Sequence, residues 1–299
     1  MQALLVYNPK SGKGAYSGAE LAAALRKAGY QVTALRKKDP RIEPALAREP
    51  DLLVIAGGDG TVNDLLQWKG VTMPVAILPL GTANNIATSL GLPDDVDAMI
   101  AALPAAPVRR FAIGRVSGSG IAPRFLEGIG VGALASLMTL KERPRPRTER
   151  IAKGRQRLAD ALGAAEARPV KVAVDGRIVH DGPALMVEVS NIARTGSSLP
   201  MFPSADPGDD VLEIAVVDPG KRTAMVEWVR EAAEDEPVPA WTGAGREVAV
   251  TFADLPFRVD DHAKPAGRRE RTLRTRLLAR RALQMVVSTP PADETSSAT

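Results

Sequence analysis

Leu52-Leu53-Val54-Ile55-Ala56-Gly57-Gly58-Asp59-Gly60-Thr61-Val62-Asn63-Asp64 runs from an apolar stretch through three glycines into a segment with Leu65, Leu66 and Trp68 at helical spacing. A strand that empties into a glycine turn and then a helix is an anion site. Glycine lets the backbone take positive φ and lets a ligand approach closely, and the first N–H groups of the helix point at bound phosphate. Asp59 adds a carboxylate, which sits beside phosphate when a cation lies between them or when it takes a proton from an attacking hydroxyl. The octapeptide from Gly57 to Asp64 therefore suggests a nucleotide and a metal.

Working outward, the 299-residue chain is long enough for two domains, and 45% hydrophobic with 25% charged residues is ordinary for a globular protein. Its 39 Lys+Arg and 35 Asp+Glu leave a net charge of only +4. The absence of cysteine excludes disulfides, iron–sulfur clusters and thiolate zinc sites, and His180 and His262 are too few for a histidine-rich metal centre. Met1-Gln2-Ala3 leads into a short apolar strand without a charged leader, and no apolar run reaches the roughly 18 residues of a spanning helix. The expectation is a cytoplasmic protein.

Ala3 to Tyr7, Val32 to Leu35, Leu52 to Ala56 and Val75 to Leu78 read as strands with helical segments between them, which argues a parallel sheet covered on both faces. Two further glycine loops follow strands: Asn8-Pro9-Lys10-Ser11-Gly12-Lys13-Gly14, which lacks P-loop spacing, and Pro79-Leu80-Gly81-Thr82-Ala83-Asn84-Asn85. Open α/β sheets bind ligands at such carboxyl ends. Val108 to Val116 and Ala122 to Val131 are expected as strands, Ala133 to Leu140 as a helix, and Lys141 to Arg157 as a basic segment. From Val170 onward, period-two strands joined by Gly/Pro turns surround one helix, Arg222 to Ala233, and indicate a mainly antiparallel second domain. A second basic run, Arg268 to Arg281, leads to a strand at Leu283 to Val287. The fold class is α/β: an N-terminal parallel-sheet nucleotide-binding domain over 1–107, completed by 282–290, and a β-sandwich-like second domain over 108–281. The polar residues 291–299 are expected to be a disordered tail.

Taken together, Asn8-Pro9-Lys10-Ser11-Gly12, Gly57 to Asp64 and Pro79 to Asn84 resemble the diacylglycerol kinase catalytic-domain family, which includes sphingosine and ceramide kinases and bacterial lipid kinases. Pro203-Ser204-Ala205-Asp206-Pro207-Gly208-Asp209-Asp210-Val211-Leu212 is similar to the family's second-domain segment, usually ending Asp-Gly-x-Leu. The resemblance implies transfer of the ATP γ-phosphoryl group to a lipid hydroxyl, such as that of diacylglycerol or a sphingoid base, a reaction governed by positioning and charge neutralisation. It implies that Asn8, Ser11, Gly12, Gly57, Gly58, Gly60, Thr61, Asn63, Gly81, Thr82 and Asn84 meet the nucleotide, and that Asp59 sits at the metal and the transferred phosphate. Asp59 is alternatively a helix cap. The resemblance also implies a structural Mg2+ held by Asp206, Asp209 and the carbonyl of Val211, oxygen ligands that suit a hard cation. The alternative there is an acidic turn.

Two departures stand out. Where the family carries an Asp-Gly-Glu triplet as its base, this chain reads Asp260-Asp261-His262. His262 with Asp261 is either the base or an exposed turn histidine, and Asp260 and Glu127 are the other candidate carboxylates. Asp210 stands where the family has glycine, which is expected to distort the loop. The Lys/Arg clusters suit peripheral contact with an anionic inner membrane face, at about 1 kcal/mol per charge, or are a solvated surface. With 4% aromatic residues, base stacking and a nucleic-acid partner are not expected. Competing functions are a kinase-like nucleotide- or lipid-binding protein that has lost its base, and a kinase of a soluble substrate such as NAD.

Overall fold

The structure, a computed structural model, describes residues 1–66, 70–138, 147–231 and 236–287. Trp68, residues 141–146 of the first basic segment, the expected helix end at 232–233 and the tail from 288 lie outside the described residues. The chain forms two compact units, Met1–Phe111 with Ala282–Thr299, and Ala112–Arg281.

In the first unit, β1 (Gln2–Tyr7), α1 (Gly18–Lys27), β2 (Gln31–Arg36), α2 (Ile42–Leu46), β3 (Leu52–Gly57), α3 (Asp59–Leu66), β4 (Val75–Pro79), α4 (Asn85–Ser89) and α5 (Val96–Ala102) follow one another. β1 pairs in parallel with β2 and β3, and β3 with β4. The order β2-β1-β3-β4 reverses between β1 and β3, the switch point at which loops diverge to opposite faces and leave room for a ligand. Every residue of β3 and β4 is buried, as expected of strands covered on both faces. Local sequence sets the helix starts. Ser17 and Glu20 form a reciprocal capping box on α1, and Asp95 caps α5 through Ala98 N–H.

The second unit holds β5 (Val108–Ser117, entered from the first unit), β6 (Arg124–Phe125), β7 (Gly128–Gly132), α6 (Ala133–Met138), α7 (Arg147–Ala164), β8 (Arg168–Val174), β9 (Arg177–Ala184), β10 (Met186–Ser190), β11 (Leu212–Val217), α8 (Arg222–Glu231), β12 (Trp241–Gly245), β13 (Glu247–Phe252), β14 (Phe257–Val259), β15 (His262–Lys264) and β16 (Arg271–Val286). β16-β13-β8-β9 form one sheet, with β5 beside β16, and β12-β11-β10-β7-β14-β15 form the other. Val172, Val250 and Leu273 of the first sheet and Ile129, Val189 and Ile214 of the second share one core, so the unit is a β-sandwich. A second core on the far face of the β10-containing sheet takes Leu158 and Leu162 from α7 and Met225 and Trp228 from α8. The end of β16 returns to the first unit, where Met285 pairs in parallel with Val75 of β4.

One expected strand is corrected, and two basic stretches that were given no secondary structure acquire one. The strand read over Ala122 to Val131 breaks at Leu126 and Glu127, because the N–H groups of Leu126, Glu127 and Gly128 turn to the Asp260 carboxylate instead of a neighbouring strand. The basic stretch through Arg157 belongs in part to α7, whose apolar residues Leu158 and Leu162 bury against the sheet. The run Arg268 to Arg281 is strand from Arg271 onward, with Leu273, Thr275 and Leu277 buried and Arg274 and Arg276 exposed between them.

Candidate functional site

Three loops leave the carboxyl ends of β1, β3 and β4 and meet. Asn8 donates its backbone N–H to Ala56 O (2.9 Å) and its side-chain amide to Thr61 Oγ1 (3.3 Å), tying the first loop to the second. Leu80 N–H donates to Gly57 O (3.0 Å), tying the third loop to the second. The closest approach is between Gly58 and Gly81: a Cβ placed on Gly81 would lie 2.3 Å from Gly58 Cα and 2.4 Å from Asn84 Oδ1. Gly57 is constrained in the same way, since a Cβ there would lie 2.6 Å from Thr61 Oγ1. Gly58 and Gly81 thus serve close packing of backbone on backbone and Gly57 makes room for the Thr61 side chain, and none of the three has positive φ. Gly12, at φ +62°, is the one that needs the left-handed region, beside Leu80.

Asn84 holds the third loop from within. At φ 52° it adopts the left-handed geometry that asparagine tolerates, accepts Gly81 N–H on Oδ1 (2.8 Å) and donates Nδ2–H to Pro79 O (2.9 Å). Thr61, Asn63 and Asn84 are buried. They shape the loops, while Asn8, Ser11, Gly12, Gly58, Gly60, Gly81 and Thr82 keep partial exposure and can line a ligand.

Asp59 reaches beyond the helix it begins. Its carboxylate crosses to α4, accepting Asn85 N–H on Oδ2 (3.0 Å) and Ile86 N–H on Oδ1 (3.1 Å). One side chain therefore fixes the second loop against the third, and remains half-exposed. Lys37, which no motif singled out, supports the same loop from the end of β2, donating to Gly60 O (2.9 Å) and pairing with Asp64 Oδ2 (2.8 Å). A lysine after a strand gives no signal of such a long-range bond.

In the second unit, Asp261 closes the two-residue turn between β14 and β15 and His262 begins β15, and the two form a half-exposed pair, Oδ1 to Nδ1 at 3.0 Å. That geometry leaves the other ring nitrogen available to a substrate proton. Asp260 is a different kind of carboxylate: buried, at φ 49°, and accepting three backbone N–H bonds. Burial pushes its pKa up to about 6, against the pull of those bonds and of Arg258. Asp260 is a scaffold for the 126–128 bend, and its neighbours reach solvent.

Behind the turn lies a pair that sequence reading missed. Gly130 of β7 is opposite both Glu188 of β10 and Arg258 of β14, and over this missing side chain Arg258 Nη2 meets Glu188 Oε2 at 2.5 Å. Arg258 also donates to Thr195 Oγ1 (2.7 Å) and to Asp260 O (3.1 Å), which anchors the turn. Burial alone would lower the Arg258 pKa, but the charges of Glu188, Glu127 and Asp260 outweigh it and raise it, keeping the guanidinium charged. Glu188 inside Met186-Val187-Glu188-Val189 and Arg258 between Phe257 and Val259 were the available signals, each a charge within an apolar strand. Glu127, another such case, lies in the bend and is buried.

The acidic loop folds on itself. Gly208 N–H donates to Asp206 Oδ1 (2.7 Å), Asp209 N–H to Asp206 O (3.1 Å) and Val211 N–H to Asp209 Oδ1 (2.8 Å). Asp210 has no positive φ, so its replacement of glycine leaves the loop without backbone strain, contrary to the expected distortion. Among the described residues no group of three or more His, Cys, Asp or Glu side chains gathers as for a metal ion. The candidate donors, Asp206, Asp209 and the Val211 carbonyl, supply oxygen alone, which fits magnesium in kind. No helix among the described residues is long and apolar enough to cross a membrane.

With this geometry in hand, residues 2–116 match the family model for the diacylglycerol kinase catalytic domain, and residues 130–260 match that for the YegS C-terminal NAD kinase beta sandwich-like domain. The diacylglycerol kinase of Staphylococcus haemolyticus is 35% identical over 104 residues, 31% of this chain and 32% of that protein. The chain thus spans about a third to two fifths of the length of the staphylococcal relatives it matches. A longer alignment, 27% identical over 234 residues, joins 73% of the chain to 74% of the diacylglycerol kinase of Mycobacterium tuberculosis. Among solved structures, a diacylglycerol kinase from Bacillus anthracis superposes with a TM-score of 0.73 at 20% identity, covering 96% of each chain. An NAD kinase from Archaeoglobus fulgidus in complex with ATP gives 0.53 at 16%, covering 97% of this chain and 94% of that one. At these identities the two structures speak for the fold alone.

Proposed function

We propose that this chain, which belongs to the diacylglycerol kinase catalytic-domain family, is an ATP-dependent kinase that transfers the γ-phosphoryl group to a lipid hydroxyl. The observation that carries the reading is the meeting of three strand-end loops around Gly58 and Gly81, with a half-exposed carboxylate, Asp59, across them. Backbone approaching backbone with no side chain between them leaves a Gly-rich surface open to close approach by phosphate, and phosphoryl transfer asks chiefly for such positioning. Asn8, Ser11, Gly12, Gly60 and Thr82 contact the nucleotide in this account, and Thr61, Asn63 and Asn84 hold the loops that do so.

Asp59, its carboxylate fixed by the N–H groups of Asn85 and Ile86, would face the triphosphate and its metal. Magnesium bound with ATP supplies charge neutralisation at the phosphates, and Asp206 and Asp209 are the residues that would hold a second, structural ion. His262, oriented by Asp261, accepts the proton of the acceptor hydroxyl, the work a glutamate does elsewhere in the family. Diacylglycerol and sphingoid bases are the acceptors proposed, met at the inner membrane face. An acceptor panel tests this reading: labelled ATP and magnesium with diacylglycerol, sphingosine and NAD, each separately. Label in a lipid supports it. Label in NAD alone overturns the lipid assignment, and ATP binding with no transfer to any acceptor overturns the enzyme.

A further inference from the structure

The run Arg268 to Arg281 finds no task in the nucleotide loops, and the fold sorts it by period two. In β16, Leu273, Thr275 and Leu277 point into the sandwich core, and Arg274 and Arg276 point out of it. The cross-strand register continues the row: Arg274 stands opposite Ala249 of β13, and Ala249 stands opposite Ala173 of β8. On the neighbouring strand β5, Ala112 and Val116 face the core, and Arg115 is exposed on the outer side. The result is a groove of about 430 Å3 with an alanine floor and guanidinium walls from Arg115, Arg274 and Arg276.

The charges in this groove are not balanced. Arg276 has Glu247 at 3.7 Å, with both side chains well exposed, a pairing of little strength. Arg115 and Arg274 make no ion pair and no side-chain hydrogen bond among the described residues. Lys171 lies one register row away on the same face, paired with Asp181 at 3.0 Å. Two guanidiniums without partners over a shallow floor of small residues have the size and charge for a phosphodiester, which a planar donor fork grips through two oxygens. No aromatic side chain lines the groove, so stacking on nucleobases is not provided for.

We propose that the outward face of β5, β13 and β16 is a docking surface for anionic phospholipid, with Arg115 and Arg274 seating one headgroup phosphate. The proposal rests on the lipid-acceptor reading only for the reason that a membrane lies near. The arginines bring the protein to the surface where an apolar acceptor is concentrated, and the attraction is screened by salt within a Debye length.

The test is co-sedimentation of the full chain, without ATP, on phosphatidylcholine vesicles with and without phosphatidylglycerol. The expected result is binding only when phosphatidylglycerol is present, weakened by salt. In the double variant Arg115→Gln/Arg274→Gln it falls about thirtyfold, equivalent to about 1 kcal/mol per charge removed. A control, Lys27→Gln/Arg48→Gln, removes the same charge from exposed positions of the first unit and is expected to bind like the parent. Equal loss in the control would show net charge at work and overturn the surface, as would undiminished binding by the arginine variant. Calorimetry with inorganic phosphate alone, showing the same arginine dependence without vesicle binding, would reassign the groove to a soluble phosphate. Tighter arginine-dependent binding of an oligonucleotide than of vesicles would likewise overturn the proposal. Transfer to detergent-solubilised diacylglycerol is measured separately, so arginine-dependent docking without transfer leaves the surface standing and removes the kinase reading. Transfer without docking does the reverse.

Discussion

Gly58 and Gly81, at the ends of β3 and β4, approach until a Cβ on either would lie within 2.7 Å of the other's Cα. Gly81→Ala is expected to force the loops apart, lowering stability by about 1–3 kcal/mol and weakening ATP binding with it. Gly163 provides the contrast. In α7 it is exposed, has no positive φ and has nothing within 4 Å of a Cβ, so Gly163→Ala is expected to stabilise by about 1 kcal/mol. Chemical denaturation of both variants, with nucleotide titration of the first, checks the pair.

Asp59 joins structure and chemistry in one side chain. Asp59→Ala removes the acceptor for Asn85 and Ile86 N–H and is expected to cost about 1–2 kcal/mol. Asp59→Asn keeps one oxygen for the cap but loses the charge. If the carboxylate acts at the phosphates, phosphoryl transfer in Asp59→Asn falls by about a hundredfold or more while most stability stays. Activity that simply tracks stability across the two variants would leave Asp59 a cap.

For the Asp261–His262 pair, His262→Ala is expected to lower kcat about a hundredfold, with the KM for ATP little changed, if the ring oriented by Asp261 takes the acceptor proton. Steady-state kinetics decides it, and unchanged turnover would remove His262 from the mechanism.

Asp260 sets a pH dependence of stability with an unusual sign. Its pKa rises from 3.8 to about 6 on folding, so the folded state binds the proton more tightly than the unfolded one. The stability this group contributes is complete below about pH 4 and is lost as pH rises through about 6. Thermal melts of the parent and Asp260→Asn across that window are expected to differ in slope, the parent losing more stability than the variant as pH rises.

The three loops were legible because each is a short-range pattern: an apolar run, then glycine, then polar residues at a strand's end. Their cross-links were not. That Asp59 would bond the N–H groups of Asn85 and Ile86, 26 and 27 residues on, follows only from the packing of β3 beside β4. Nor could local sequence show Lys37 reaching Gly60 and Asp64. In the second domain the alternation of β13 was plain. Val170 to Val174 of β8 was read as a strand, but its hairpin partner β9 was not, although the turn is Asp175-Gly176, a pair suited to left-handed backbone, with φ 48° and 81°. Arginines hid a strand in 271–281, because charge masked the alternation of Leu273, Thr275 and Leu277. The buried pair Glu188–Arg258 was visible only as two charges in apolar strands, and the glycine that makes room for it lies on a third.

The most direct measurement is the fate of the γ-phosphate. Purified protein is incubated with γ-labelled ATP, magnesium and diacylglycerol in mixed micelles, and the organic phase is extracted. The expected result is label in a phosphorylated lipid at a rate that collapses in Asp59→Asn. Label confined to the aqueous phase, from a folded protein that binds ATP, would contradict the account.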